Sequence, residues 1–268
     1  MFRRTKPCFD TADAAILARL RRARLVCSDE TTVRINGQTH RDWVFQNHQV
    51  VVHVSALTAR CSISPLRGLI RNSRAASVVG EVMAGHRPSI WVSDLFSARR
   101  GHAELWQVCL AHQLRDCQYA IDAGDATFAP RMKALMLRAC VLARRRAALA
   151  ASTRRSYLNR RDRDLNAIMV LAPTNLDGQR LRKRYGKIRS HLFTFLEHPE
   201  PPPDNHGSER ELQPTATYRK VTGGFRSTCG ADLFANVRSV IGTAKRRGID
   251  AFHAVREVLR GQSVLLPG

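Results

Sequence analysis

Residues 24 to 35 read RLVCSDETTVRI and stop at Asn36-Gly37, and the fold follows from how this stretch is read. Its β-branched content predicts a strand, and Asn-Gly is the strongest short signal for a two-residue hairpin turn. A second strand is therefore expected from Thr39 to Phe45, and a third from Val50 to Val54 after the turn at Gln46 to Gln49. Counting by two along the first strand puts Asp29 on the face of Leu25, Cys27, Val33 and Ile35, with Glu30 on the other. A carboxylate on an apolar face needs a neutralising cation or donors. A frayed strand end with a solvated acidic pair is the competing reading.

Downstream, residues 75 to 84 (AASVVGEVMA) predict a short helix, and Ser89 to Phe96 (SIWVSDLF) a buried strand. Asp94 repeats the anomaly of Asp29, since it follows Ile90 and Val92 on one face, although it could equally cap a helix after the strand. A further strand is expected over Glu104 to Ala111 and a helix over Gln113 to Ala123. The order of three strands, a helix and a fourth strand belongs to the ribonuclease-H-like layout.

Upstream of the first strand, Asp10 is expected to cap a helix running through Ile16, Leu17 and Leu20. Residues 131 to 190 read as helical and hold 17 lysines and arginines against three aspartates, with runs at Arg144-Arg145-Arg146 and Arg182-Lys183-Arg184. The proline cluster PEPPPD, 199 to 204, breaks whatever precedes it, and Pro214 is expected to limit the next helix to a turn or two. Two helices close the chain, about 231 to 247 and 251 to 260, with Asp250 as a cap and Gly248 and Gly261 as stops.

The whole chain of 268 residues carries 44 lysines and arginines against 22 acidic residues, a balance of +22 that points to a polyanionic partner. Nucleic acid comes first, with a ribosomal or membrane-surface protein as the alternative. An RNA-binding protein working through stacked aromatics is disfavoured by an aromatic content of 6%. Seven cysteines without a C-x-x-C pair indicate neither a zinc ribbon nor a disulfide framework, and Cys109-x-x-His112 lacks the second pair that zinc requires. No apolar run is long enough to span a membrane. The expected setting is a reduced bacterial cytoplasm, in association with the nucleoid.

Four stretches, CSDETTVRINGQTHRDWVF (27 to 45), HRPSIWVSDLFSARRGHAELWQVCLAHQLRDCQYAIDAGD (86 to 125), DNHGSERELQP (204 to 214) and YRKVTGGFRSTCGADLFANVRSVIGTAKRRG (218 to 248), make the chain resemble a transposase of the insertion-sequence-66 family. The resemblance runs from about residue 5 to 262. It implies an α/β ribonuclease-H-like core with a mixed sheet, interrupted by a basic helical insertion and followed by a helical C-terminal tail. The corresponding segments are an N-terminal helix at 1–23, the core at 24–128, the insertion and proline-rich linker at 129–203, and the end of the core with the last helices at 204–262. By the same resemblance the acidic triad falls on Asp29, Asp94 and Glu209, with Asn205 and Arg210 completing the Asn-x-x-x-Glu-Arg pattern. Taken alone, Glu209 would be an exposed helix-start glutamate.

That triad implies Mg²⁺ or Mn²⁺ and a two-metal phosphoryl transfer in which a water and then a freed 3′-hydroxyl attack DNA. Implied partners are transposon ends, target DNA and further copies of the chain assembled on DNA. Arg144, Arg145, Arg146, Arg182, Lys183, Arg184 and Arg210 are the expected phosphate contacts. The alternative from another class is a non-catalytic DNA-binding remnant of a decayed transposase. Two departures favour it: family members are normally longer at the N-terminus, and about fifteen residues beginning SALTARCSISPLRGL, 55 to 69, stand where a short link is usual, with Asn72 in place of a proline.

Overall fold

The computed structural model describes residues 2–57, 75–95 and 101–265. The expected insertion at 55 to 69 lies mostly outside them, apart from the end of the third strand.

Contacts divide the chain into two compact units, residues 1–104 with 206–268, and residues 105–205. The first is built on a sheet. Strand β1, Leu25–Ile35, turns at Asn36-Gly37 into β2, Gln38–Gln46. Both turn residues take positive φ, 51° and 75°, as a hairpin whose twist matches its strands requires. β3, Val51–Leu57, pairs antiparallel with β2, and β4, Ile90–Ser93, pairs parallel with β1, so the sheet is mixed and ordered β3-β2-β1-β4. Alternating burial shows only at the end of β1, where Val33 and Ile35 are buried and Arg34 exposed; at its start Val26, Cys27 and Ser28 are all buried, because both faces of the sheet are covered there.

Each face has its own packing. On one, Trp43 stacks with Phe45 at 5.9 Å, Phe45 meets Trp91 edge-on at 6.2 Å, and the Trp91 indole donates to Ser28 Oγ at 2.9 Å. The other carries α8, His206–Thr222, which packs on β1 and β2. Helix α9, Thr228–Arg246, lies on β3, where Ser239 and Thr243 hydroxyls accept from the N–H groups of His53 and Val51. These hydroxyls satisfy backbone donors that a bare sheet edge would expose. α1, Phe2–Leu20, packs on α9 and β3, and α10, Ala251–Leu259, packs on both helices. Arg21, just past α1, donates to the carbonyls of Glu81 and Val82 in α2, Ala75–Met83.

Several expectations change. α1 begins upstream of Asp10, which therefore sits within the helix, paired with Lys6 at 2.7 Å and accepting from Asn236. α8 runs through Pro214 for 17 residues. A proline inside a helix forfeits one backbone hydrogen bond. Here Thr215 donates to Asp42 Oδ2 at 2.6 Å, Leu212 packs on Val44 and Val51, and Arg219 reaches the Thr32 carbonyl, so side-chain anchors on either side of the proline hold the helix straight onto the sheet. Asp250 does cap α10, accepting from Phe252 and His253, and Gly248 and Gly261 take the positive φ of helix stops.

The second unit opens with β5, Leu105–Val108, and continues as helices: α3, Leu110–Asp122; α4, Phe128–Arg145; α5, Ala151–Met169; α6, Leu176–Ile188; and the single turn α7, Thr194–Glu197. α3 packs against α4 and α6. Asp125 fastens the loops between them by accepting from the N–H groups of Ala129 and Thr174 at 2.8 and 3.0 Å. Gly178 is required beside it: a Cβ there would lie 2.4 Å from Asp125 Oδ2 and 2.8 Å from Pro173 Cβ. Taken together this is an α/β fold consistent with a ribonuclease-H-like core.

Candidate active site

All three predicted acids lie in the unit that carries the sheet. Asp29 is opposite Val44 in the β1–β2 ladder, and the parallel β1–β4 ladder pairs Leu25 with Ile90 and Cys27 with Val92. Continued by two residues, that register brings Asp29 level with Asp94, which directly follows β4. Because side chains alternate along strands, both belong to the face of Cys27 and Val92. Both are partly buried, and Asp29 Oδ1 accepts from the Glu30 N–H at 2.9 Å.

Which part of α8 comes near them follows from its anchors. Gln46, opposite Cys27, donates to Ser208 Oγ at 2.8 Å; Val44, opposite Asp29, packs on Leu212; Asp42, opposite Thr31, holds Thr215. Arg219 ends the series at Thr32. Eleven helical residues from Ser208 to Arg219 and five strand steps from Cys27 to Thr32 both span roughly 16 Å, so helix and strand run together in the same direction. Glu209, one residue past Ser208, is thereby level with the segment between Cys27 and Asp29. Its side chain is 32% exposed and lies 4.0 Å from His206.

The flank of α8 is fixed by Glu211. That carboxylate turns toward β3 and α9, 4.0 Å from His53 Nε2, 3.4 Å from Arg238 and 2.8 Å from Arg246. Burial would raise its pKa, but His53 and Arg246 outweigh burial and hold it at about 2. His53 is fully buried, which alone would lower its pKa, yet Asp42 and Glu211 raise it. Glu209 stands two residues earlier, about 200° around the helix. It therefore occupies the flank away from β3, where β1 and β4 follow in the sheet. Glu211 thus points away from Glu209, into a partly buried ion network that joins α8 to β3 and α9.

His102 packs near Trp91, 6.0 Å between ring centroids, on the sheet face opposite Asp29. Cys109 and His112 lie in the second unit, where Cys109 Sγ takes the Asn205 N–H at 3.2 Å and is 3.3 Å from His112 Nδ1. The Gly223-Gly224 turn is a close backbone approach, since a Cβ on Gly224 would lie 2.3 Å from the Arg34 carbonyl oxygen. It leaves Phe225 buried against Tyr218 at 4.6 Å, which removes that ring from any DNA contact.

Among the seven cations expected to meet phosphate, three are engaged inside the second unit. Arg146 donates to the carbonyls of Phe195, His198 and Pro199, Arg182 to that of Leu171, and Arg184 pairs with Asp116. Arg144, Arg145, Lys183 and Arg210 are exposed and form no ion pair with the described residues. A sequence shows how many cations a segment has, but not which of them the fold consumes as structural donors.

A sequence model described as Transposase IS66 family matches residues 1–233. The chain belongs to that family. The match includes all three acids and stops at Leu233, inside α9, short of the residue near 262 to which the resemblance was expected to reach. Comparison with curated proteins and with solved structures finds no significant match. Transposases act on DNA, and a charge of +22 suits a polyanionic partner. Among the described residues no helix is long and apolar enough to cross a membrane.

Proposed function

We propose that this IS66-family chain is the catalytic region of a DDE transposase, and that Asp29, Asp94 and Glu209 are the carboxylates that hold its Mg²⁺ or Mn²⁺. What supports the proposal is the β1–β4 register, which, continued past the ends of its printed pairs, brings Asp94, the residue after β4, level with Asp29, together with the packing of α8, whose first turn holds Glu209, on β1 and β2. Such a donor set fits hard cations, which take carboxylate oxygens and retain water. When bound, the metal lowers the pKa of a water and neutralises charge developing on a phosphodiester. The chain's own part is to orient the three carboxylates: the β1–β4 ladder sets two, and the Gln46–Ser208 and Thr215–Asp42 bonds set the third. Arg210, next to Glu209 and exposed, is positioned to take a phosphate oxygen, and Arg144, Arg145 and Lys183 extend DNA contact into the second unit. Strand transfer at transposon ends, by copies of the chain assembled on DNA, is the activity this arrangement serves.

The test is thermal melting with and without Mn²⁺. A metal held by the folded state alone raises its melting temperature by mass action, by about 2.7 kcal/mol of stability at a hundredfold excess over Kd. The rise should occur in the parent protein and vanish in Asp29→Asn and Asp94→Asn. An unchanged rise in both variants, or none in the parent, favours the non-catalytic DNA-binding remnant.

A further inference from the structure

The C-terminal half of α4 and the N-terminal half of α5 enclose an apolar cavity of about 410 Å³ within the second unit. Its floor is Leu135, Ala139, Leu142 and Leu196, and its mouth is flanked by Val141 and Tyr157. Val141 and Tyr157 are 49% and 44% exposed, and neighbouring Leu137 is 48% exposed, so three large apolar side chains meet solvent at one place. Soluble proteins scatter such residues singly, and a cluster around a cavity marks a ligand site.

The rim decides the ligand. Arg138 is paired with Asp164 at 2.8 Å, and Arg161 with Asp162 and Glu197. Arg145 and Arg160, also on the rim, are exposed and form no ion pair with the described residues, and Arg154 stands one turn before Tyr157 on the exposed start of α5. A wholly apolar ligand would leave these guanidinium groups without a role, and a duplex backbone would not fill the cavity. A planar base, whose apolar faces stack while its polar edge stays at the open mouth, joined to phosphates, satisfies both.

We propose that this cleft is a slot for an unpaired base of single-stranded DNA, packed against Tyr157 and Val141 while Arg145, Arg160 and Arg154 hold the adjoining phosphates. Aromatic platforms beside basic tracks bind single strands in this way with little sequence preference. An acidic amphipathic helix is disfavoured, because helix docking needs a groove with successive anchors, whereas the apolar surface here closes into one compact cavity. The slot would receive a base displaced from the duplex near a cleaved end, and in that sense it rests on the reading of the chain as a DNA enzyme.

The experiment measures affinity of the full chain for a single-stranded oligonucleotide and for the duplex of the same sequence, at one salt concentration. Loss of a stacking platform costs roughly 5- to 100-fold per base. Tyr157→Ala and Val141→Asp should lose about that much single-strand affinity, Tyr157→Phe should keep it, and all three should bind duplex as the parent does. Melting temperatures equal to the parent's confirm that the exposed positions do not disturb folding. Duplex binding by the parent, with single-strand affinity unaltered in Tyr157→Ala or lost equally for both DNA forms, overturns the slot alone. Failure of the parent to bind either form overturns the DNA reading with it.

Discussion

Replacing Glu211 by glutamine would remove the carboxylate shared by the partly buried Arg238 and Arg246, leaving Arg238 only the nearby charge of Asp42, and deprive His53 of one of its two carboxylates. Glu211 is 13% exposed, and its pKa is held at about 2 against an ordinary 4.5. At about 1.4 kcal/mol per pKa unit this corresponds to roughly 3 kcal/mol. Some water access to the arginines reduces it, so a loss of about 2 to 3 kcal/mol is expected, near the lower end for breaking a buried ion pair. For a chain of this size that is a melting-temperature drop of roughly 5 to 10 °C.

The pH dependence has a definite sign. A depressed carboxylate pKa contributes stability above the unfolded value of 4.5, and that stability is lost as pH falls toward 2. The raised His53 pKa works in the opposite sense: its contribution is present below 6.5 and is lost as pH rises through the folded value. The gap between parent and Glu211→Gln should therefore be widest between pH 4.5 and the raised value of His53, and narrower on either side. Melts followed by circular dichroism across that range measure it. A variant that melts with the parent, or a gap independent of pH, would show that the network does not stabilise the fold.

Other outcomes follow from the same physics. Removing Arg144 and Arg145 together should flatten the salt dependence of duplex binding without changing sequence preference, and an unaltered slope would remove them from the interface. Gly178→Ala should lower the melting temperature of the second unit, because its methyl group would collide with Asp125 and Pro173, and a neutral substitution would disprove that packing.

Local chemistry made much of the first unit readable. Asn36-Gly37 demanded a hairpin, alternation along β1 put Asp29 on the Cys27 face, and Asp250 announced the last helix. What escaped was set by partners remote in sequence. Pro214 argued for a short α8, and only Thr215 on Asp42 and Arg219 on Thr32, more than 170 residues apart, explain why the helix continues. Nothing in the sequence marks the structural role of Glu211, because its partners, His53 and Arg246, lie on β3 and α9. Arg146, Arg182 and Arg184 looked like free cations for the same reason. Glu209 had no distinguishing local signal either; the family pattern singled it out, and the anchors of α8 account for its level beside β1.

The central claim, that Asp29, Asp94 and Glu209 act as one metal-holding site, is tested most directly by Mn²⁺-dependent nicking of supercoiled DNA carrying the element's ends. Asp122, exposed on α3 in the second unit, supplies the control carboxylate. The account predicts strand breaks from the parent and from Asp122→Asn, and none from Asp29→Asn, Asp94→Asn or Glu209→Gln, all five binding DNA alike. Nicking that survives in any one of the three, or that the parent never shows, would contradict it.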